Sequence, residues 1–333
     1  MTFSGLIHHP PAEWLKLLEQ ARDRGLRGGR VLACTRTFCT LLEAGGQVHQ
    51  TRIPGRLHHL ARRGEGLVPV VGDAVLFRPE RPGREGVVET VLPRRTCIVR
   101  QAPGRSGRQV PQVICANVDT VLVVTGLDLD FNVRRIERYL ALVAGSGAEA
   151  VLVLNKVDLC DHLDQRLEQV GKLGCESVLP ICAKTGRGTD RLAPWLTPGT
   201  TLAMLGSSGA GKSTLANLLL GQDRQQVGDL SDTDGRGQHT TTHREMFRLP
   251  GGAFLIDNPG MREIQLLDEA TDLEEAFADI IELGCRCRFG DCRHDREPDC
   301  AVRAAVDRGE LDPDRYRNYL QLAREREERQ RDY

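Results

Sequence analysis

Between Gly29 and about Arg100 the apolar positions fall into five short β-rich runs, Arg30–Cys34, Thr37–Leu42, Gln47–Ile53, Asp73–Phe77 and Gly86–Leu92. Turn-forming stretches such as Ala44-Gly45-Gly46 and Arg81-Pro82-Gly83 separate them. Five strands in so short a span predict a small β-barrel. An OB-fold is the first expectation and an SH3-like barrel the second, because strand count does not fix topology. From Asp119 the period changes to apolar strand followed by amphipathic helix. Thr120–Thr125 precedes Asn132–Gly145, and Ala150–Leu154 precedes a helix near Asp161–Leu173. Ser177–Ile181 and Thr200–Leu205 are further strands, each followed by helix-compatible sequence, the signature of a parallel sheet wrapped by helices. After about Ile264 the chain becomes helical and acidic, passes through a compact Cys/His cluster, and ends in a charged helix from Asp314 onward. No internal repeat is present.

Length turns this pattern into a modular reading, since 333 residues exceed what one core ordinarily supports. No apolar run approaches the roughly 18 residues of a membrane helix, so no membrane association is expected. The first thirty residues mix Glu13, Lys16, Glu19 and Asp23 with Leu15, Leu17 and Leu18, an amphipathic helix and not a signal peptide, which predicts a cytoplasmic protein. Eleven scattered cysteines do not suggest a disulfide framework and point to free thiols plus possible metal ligands.

Charge is distributed unevenly. Residues 1–111 hold 18 Lys plus Arg against 9 Asp plus Glu, although the whole chain has a formal net charge of −1. A basic front half is an electrostatic footprint for nucleic acid, against the blander reading of a solvated surface in an Arg-rich protein. Only five residues are lysines, and three of them, Lys156, Lys184 and Lys212, lie in nucleotide-binding motifs.

Gly206-Ser207-Ser208-Gly209-Ala210-Gly211-Lys212-Ser213 follows the apolar run Leu202–Leu205 and opens a helix over Ser213–Leu220. In that strand–loop–helix setting the glycines let backbone N–H groups face phosphates, Lys212 supplies a catalytic cation for the β and γ oxygens, and the Ser213 hydroxyl can ligate Mg²⁺. A turn that merely capped a helix would need neither the strand nor the lysine. The motif does not choose between ATP and GTP. Asn155-Lys156-Val157-Asp158, just after Ala150–Leu154, does: a carboxylate at Asp158 accepts from the ring N–H and exocyclic amine of guanine, whereas adenine presents an acceptor there. Cys182-Ala183-Lys184, after Ile181, resembles the base-supporting loop of GTPases.

Ordinary GTPases place the phosphate loop first and the base-reading motifs last. Here the order is rotated, and the last motif of the set is Asp257-Asn258-Pro259-Gly260, whose Asp can hold Mg²⁺ through water and whose Gly N–H can sense the γ-phosphate. Between them Asp229–Thr242 reads as a mobile switch loop. A hydroxyl of Thr240, Thr241 or Thr242, with Thr241 the candidate, could complete the Mg²⁺ shell. Met261 stands where many GTPases carry a water-orienting glutamine, and a thioether cannot do that work. His239 is the nearest substitute by sequence, against the plainer reading of an exposed loop histidine. Cys287, Cys292, His294 and Cys300 lie within fourteen residues and can complete a tetrahedral, structural Zn²⁺ shell, with Cys285 an alternative ligand on spacing alone.

Together these residues closely resemble the circularly permuted GTPases of small-ribosomal-subunit biogenesis, the RsgA or YjeQ family. The resemblance is carried by Pro69–Asp73, Leu92–Arg95, Ala116–Asp119, Asn155–Asp158, Gly206–Thr214, Gly237–Thr242, Asp257–Gly260 and Cys287–Cys300. It implies an N-terminal OB-fold, a central GTPase, a zinc domain in which Cys287 and not Cys285 is a ligand, and ribosome-stimulated GTP hydrolysis late in small-subunit maturation. The expected division is a helical extension over 1–28, an RNA-binding barrel over 29–111, the permuted GTPase over 112–264 and a helical zinc domain over 265–333, acting as a monomer. Asn258 and Gln238 depart from the family pattern, where Ser or Thr and a basic residue are expected. Only Phe38 and Phe77 are aromatic between Val31 and Arg100, so Arg–phosphate contacts should dominate base stacking on rRNA. The alternative is an RNA-binding module that uses GTP as a conformational ligand without hydrolysing it.

Overall fold

The computed structural model describes residues 3, 5–103, 109–128, 131–207, 209–221, 245–257, 277–290, 292–311, 313, 316–317, 319–320 and 323. Two compact units divide the chain, residues 1–264 and 265–333.

In the first unit α1 (Ala12–Arg22) places Trp14, Leu18 and Ala21 on one buried face, the i, i+4, i+7 spacing of an amphipathic helix. The five predicted barrel strands form as β1 (Arg27–Cys34), β2 (Phe38–Glu43), β3 (Val48–Arg52), β4 (Ala74–Arg78) and β5 (Gly86–Val91), with α2 (Gly55–Arg62) between β3 and β4. Their order, β1-β2-β3-β5-β4, closes through a β1–β4 pairing, and β3 runs parallel to β5. That closed five-stranded topology is an OB-fold and not an SH3-like barrel. Val31, Leu41, Val75, Phe77 and Val88 fill the barrel interior.

A ribbon of β6 (Cys97–Pro103) and β7 (Gln109–Ala116) leads out of the barrel. The second layer of the unit is a sheet of β8 (Thr120–Gly126), β9 (Glu149–Asn155), β10 (Ser177–Pro180), β11 (Thr201–Leu205), β12 (Glu245–Arg248) and β13 (Phe254–Asp257), in the order β10-β9-β8-β11-β13-β12. All are parallel except β12. Every residue of β8 and β11 is buried, as expected of strands covered on both faces. The helix α3 (Val133–Ser146) starts where the Asn132 side chain accepts the Arg135 N–H at 3.0 Å and ends at Gly147, whose φ of 80° provides the left-handed cap. α4 (Leu163–Gly171) and α5 (Lys212–Leu220) complete the crossovers. The segment after β10, helix-compatible by sequence, is instead a 3₁₀ stretch over Thr189–Trp195, because Gly188 enters left-handed and Pro194 removes a donor.

Barrel and sheet are continuous. In β1, Ala33 pairs with Glu245 of β12, and Glu245 pairs with Asp257 of β13. Behind this seam lies Arg30, fully buried. Its guanidinium donates to Gly72 O (3.0 Å), Leu6 O (2.7 Å), Asn117 O (3.0 Å) and Thr201 Oγ1 (2.8 Å), joining the N-terminal segment, the barrel and the sheet. Burial lowers its pKa to about 10, still protonated at neutral pH. Gly72, at φ 87°, sits where a Cβ would lie 2.1 Å from Ala116 O, so only glycine lets barrel and sheet approach there. Nearby, Arg94 binds Asp73 bidentately at 2.8 Å; burial pushes the Asp73 carboxyl up, and the guanidinium works against it.

In the second unit, α6 (Ala278–Gly284) and α7 (Ala301–Asp307) pack with Phe277, Ile280, Cys300, Val302, Ala305, Leu311 and Tyr319 in the core. The charged C-terminal helix expected from Asp314 lies largely outside the described residues. Nine cysteines are free thiols and no disulfide framework is present among the described residues, but Cys34 and Cys39 are joined by a single disulfide across β1 and β2. Strand register is the reason: it sets the two residues directly opposite one another, which spacing along the chain does not reveal.

Candidate functional site

Because β8, β9, β10, β11 and β13 are parallel, their carboxyl ends share one edge, where open α/β sheets bind ligands. Asn155–Asp158 leaves β9, Ile181–Lys184 leaves β10, Gly206–Ser213 leaves β11, and Asp257 ends β13. Motifs in rotated chain order are thus gathered on one rim.

Asn155 ties three of the loops together. It is buried; its Nδ2 donates to Ala210 O of the phosphate loop at 2.9 Å, and its Oδ1 accepts the Ala183 N–H at 2.9 Å. A Cβ on Gly211 would lie 2.1 Å from that Nδ2, so Gly211 is glycine both for its φ of 95° and for this contact. Gly206, at φ 150°, passes so close to Val124 that a Cβ would lie 2.0 Å from its carbonyl oxygen. The sequence predicted Asn155 as a nucleotide contact; the structure makes it the brace between the phosphate loop and the base-reading loops.

Lys156 takes a left-handed φ of 65° and pairs its ammonium with Asp128, two residues past the end of β8. Asp128 escaped sequence reasoning, since no motif contains it. Val157 donates its N–H to Ile181 O at 3.2 Å. Asp158 projects outward and is exposed. A hydrogen bond from the Cys182 side chain first, then its own backbone N–H, with Lys184 and Lys156 nearby, hold its carboxyl below the usual range. It is therefore ionised at neutral pH, a state that can accept two hydrogen bonds from adjacent N–H donors.

On the other side of the brace, α5 begins at Lys212. Its ammonium donates to Gly206 O and Ser207 O at 2.5 Å, which sets a half-buried cation over the loop. Gly209, Ser213 and Thr214 are exposed at the start of the helix, where N–H groups and the helix dipole favour an anion. Ser208, His239, Thr240, Thr241, Thr242, Gly260 and Met261 lie outside the described residues.

In the second unit the donor atoms of Cys287, Cys292, His294 and Cys300 lie within 4.8 Å of one another. Cys287 Sγ is 3.8 Å from Cys300 Sγ, and His294 Nδ1 is 3.5 Å from Cys287 Sγ and 3.4 Å from Cys300 Sγ. Tetrahedral zinc, with bonds of about 2.3 Å to sulfur and about 2.0 Å to nitrogen, requires edges of roughly 3.8 and 3.5 Å. Chemistry agrees with geometry. Burial lowers the His294 pKa, favouring the neutral imidazole a metal needs. Burial and the neighbouring Cys300 and Cys287 push the Cys292 thiol up to about 11, so only a cation lets all three sulfurs ionise together. Burial works against the Cys287 thiolate, but N–H groups of Ala301 and Val302 together with hydrogen bonds from Cys292 and Cys300 outweigh it. Cys285 is exposed and is not in the group.

A closed OB barrel joined to a parallel sheet, with phosphate-loop and guanine-reading loops on one edge in rotated order, defines a circularly permuted P-loop GTPase. Comparison with known proteins agrees. Residues 91–267 match the RsgA GTPase family. A small ribosomal subunit biogenesis GTPase RsgA from Opitutus terrae is 49% identical over 300 residues, 86% of this chain and 80% of that protein. A namesake from Methanosarcina acetivorans is 44% identical over 298 residues, 89% and 79% of the two chains. Among solved structures, YjeQ from Thermotoga maritima superposes with a TM-score of 0.54 at 28% identity, covering 90% of this chain and 98% of that one. YloQ, described as a circularly permuted GTPase, gives 0.50 at 26% identity over 91% and 96%. The chain belongs to the RsgA GTPase family and is a GTP hydrolase.

Proposed function

We infer that this protein acts in the cytoplasm as a monomer, binds the small ribosomal subunit and its rRNA, and couples GTP hydrolysis to late maturation of that subunit. In this reading residues 29–111 form the RNA-binding barrel, 112–264 the GTPase and 265–333 the zinc domain, with 1–28 packed as an extension. No helix among the described residues is long and apolar enough to cross a membrane.

Asp158 reads guanine, Lys156 covers the base plane with its stem, and Val157, Cys182, Ala183 and Lys184 frame the base. The loop from Gly206 through Thr214 wraps the phosphates with its N–H groups, and Lys212 neutralises charge that develops on the transferred phosphoryl group. Ser213 and Thr241, with Asp257 acting through water, would hold Mg²⁺ when it is bound with GTP, the ion would neutralise phosphate charge, and Gly260 senses the γ-phosphate. His239 takes the place of the water-orienting glutamine. Zinc, held by Cys287, Cys292, His294 and Cys300, supplies a structural closure and no chemistry.

The observation that carries this reading is the double bridge of Asn155 to Ala210 and Ala183, which couples the phosphate loop to the guanine-reading loops. The barrel's contribution is electrostatic. Phe77 is buried and Phe38 is 42% exposed, so one described barrel aromatic faces solvent. Phosphate release should rise at least tenfold when purified small subunits are added, and the rise should fade with added salt as phosphate contacts are lost. Unchanged turnover in the presence of subunits would overturn the ribosomal reading.

A further inference from the structure

We propose that Cys34 and Cys39 form a reversible thiol–disulfide site that sets the stiffness of the β1–β2 hairpin. The two residues stand directly opposite one another, with Cα atoms 4.4 Å apart. That is the spacing of a non-hydrogen-bonded antiparallel pair and within the range a disulfide can span, so neither redox state requires the strands to move apart.

The two sulfurs are not equivalent. Cys39 is 1% exposed and packs among Val31, Leu41, Val75 and Phe77, whereas Cys34 is half-buried at the rim. Cys34 is therefore the sulfur an external thiol or disulfide can reach, and Cys39 is the resolving partner. In oxidation, the Cys34 thiolate attacks a low-molecular-weight disulfide of the glutathione class, forming a mixed disulfide and releasing one glutathione thiolate. Cys39 then attacks the Cys34 sulfur and releases the second. Two protein thiols become one disulfide, one disulfide becomes two glutathione thiols, and the two protein protons end on them.

The hairpin is built to survive both states. Thr35 N–H donates to Phe38 O at 2.8 Å, and Thr35 Oγ1 accepts from Phe38 N–H at 3.0 Å and from Thr37 N–H at 3.3 Å. The barrel itself is closed by the β1–β4 pairing elsewhere. The bridge spans a sequence separation of only five, so it removes little loop entropy from the unfolded chain, and the fold does not depend on it. What it restrains is the exposed tip of Thr35, Arg36, Thr37 and Phe38, which begins two residues beyond the Ala33 rung that joins barrel to sheet.

The test uses the full zinc-loaded chain equilibrated in glutathione buffers from fully reduced to fully oxidised, quenched by alkylation and read by peptide mass. The peptide carrying Cys34 and Cys39 should lose both alkyl groups within that range, while Cys97, Cys115, Cys160, Cys175 and Cys182 stay alkylatable once the chain is unfolded. Amide exchange at residues 35–38 should be roughly tenfold slower in the oxidised form. The Cys39→Ser variant should exchange as the reduced form does in every buffer, and its peptide carrying Cys34 should acquire at most one glutathione. A pair that remains joined in the most reducing buffer, a pair that never joins, or equal exchange in the two forms would each overturn the proposal. None of these readouts involves nucleotide or ribosome, so they stand apart from the function inferred above.

Discussion

The two compact units keep their shape by different means. Residues 1–264 bury whole strands: β8 and β11 are inaccessible along their length, and a buried arginine is shared across the seam of barrel and sheet. The unit over 265–333 has a far smaller described core in which a zinc ligand, Cys300, is itself a core residue and His294 is buried beside it. A small domain that cannot bury enough apolar surface borrows stability from a metal, whereas a large sheet does not need one. The same side-chain classes therefore mean different things in the two places: three of the four cysteines in the second unit form the metal group, and in the first they are packing residues or the proposed redox pair.

Removing the metal should break this contrast most sharply. Structural zinc contributes on the order of 10 kcal/mol or more to small metal domains. Chelation, or Cys300→Ser, should collapse amide protection across α6 and α7 while leaving protection of β8 and β11 unchanged. Loss of protection in both units together would mean that they are not held by separate means.

The counterpart in the first unit is Arg30. Arg30→Met keeps the stem and removes four hydrogen bonds, leaving Gly72 O, Leu6 O, Asn117 O and Thr201 Oγ1 without their shared donor. Leaving a buried neutral acceptor unsatisfied costs about 1–3 kcal/mol. The midpoint of thermal unfolding of the first unit should fall, and zinc content should not. A variant as stable as the parent would show that the seam is held by packing alone.

Within the first unit, two residues of one tetrapeptide should separate by function. Asp158→Asn replaces one of the two oxygens proposed to accept from guanine with a donor and should weaken GTP binding by about 1.5–3 kcal/mol, roughly 10- to 150-fold, with ATP binding unchanged. Asn155→Ala instead removes the brace, so it should weaken nucleotides regardless of base and raise exchange at residues 209–211. Equal loss of guanine selectivity in both variants would erase the distinction drawn between reader and brace.

How much of this was legible beforehand depends on how local the cause is. The barrel strands were visible because turn residues bracket each one, but the choice of OB-fold rests on the β3–β5 pairing, a contact between distant residues. The β6–β7 ribbon was not read from the sequence, since Pro103 and Pro111 argue against strand, and both are accommodated in a two-stranded ribbon. α2 offers only Leu57 and Leu60 as an apolar signal. Arg30 looks like any surface cation in an arginine-rich strand; its burial follows from where Gly72, Asn117 and Thr201 converge. At the site, residue types alone suggest the chemistry proposed for Asp158 and Lys212, whereas the bracing by Asn155 and the Lys156–Asp128 pair are products of the assembled edge.

The smallest expected effect concerns proton occupancy. The Asp158 carboxyl is held below the ordinary carboxylate range, first by the Cys182 side chain and then by its own backbone N–H and nearby lysines. A depressed pKa means that the charged form persists as pH falls through the value of an unperturbed aspartate, about 3.9. Any stability this adds is present above that value and lost only as pH falls through the lower folded one. Cys182→Ala removes the leading cause, so the Asp158 titration, followed by carboxyl NMR shift in the nucleotide-free protein, should move up toward the ordinary value. Guanine selectivity at neutral pH should stay intact, because the carboxylate is ionised there in either protein. A Cys182→Ala titration that coincides with the parent's would assign the depression to the backbone and the lysines, and would leave Cys182 as a packing residue of the edge.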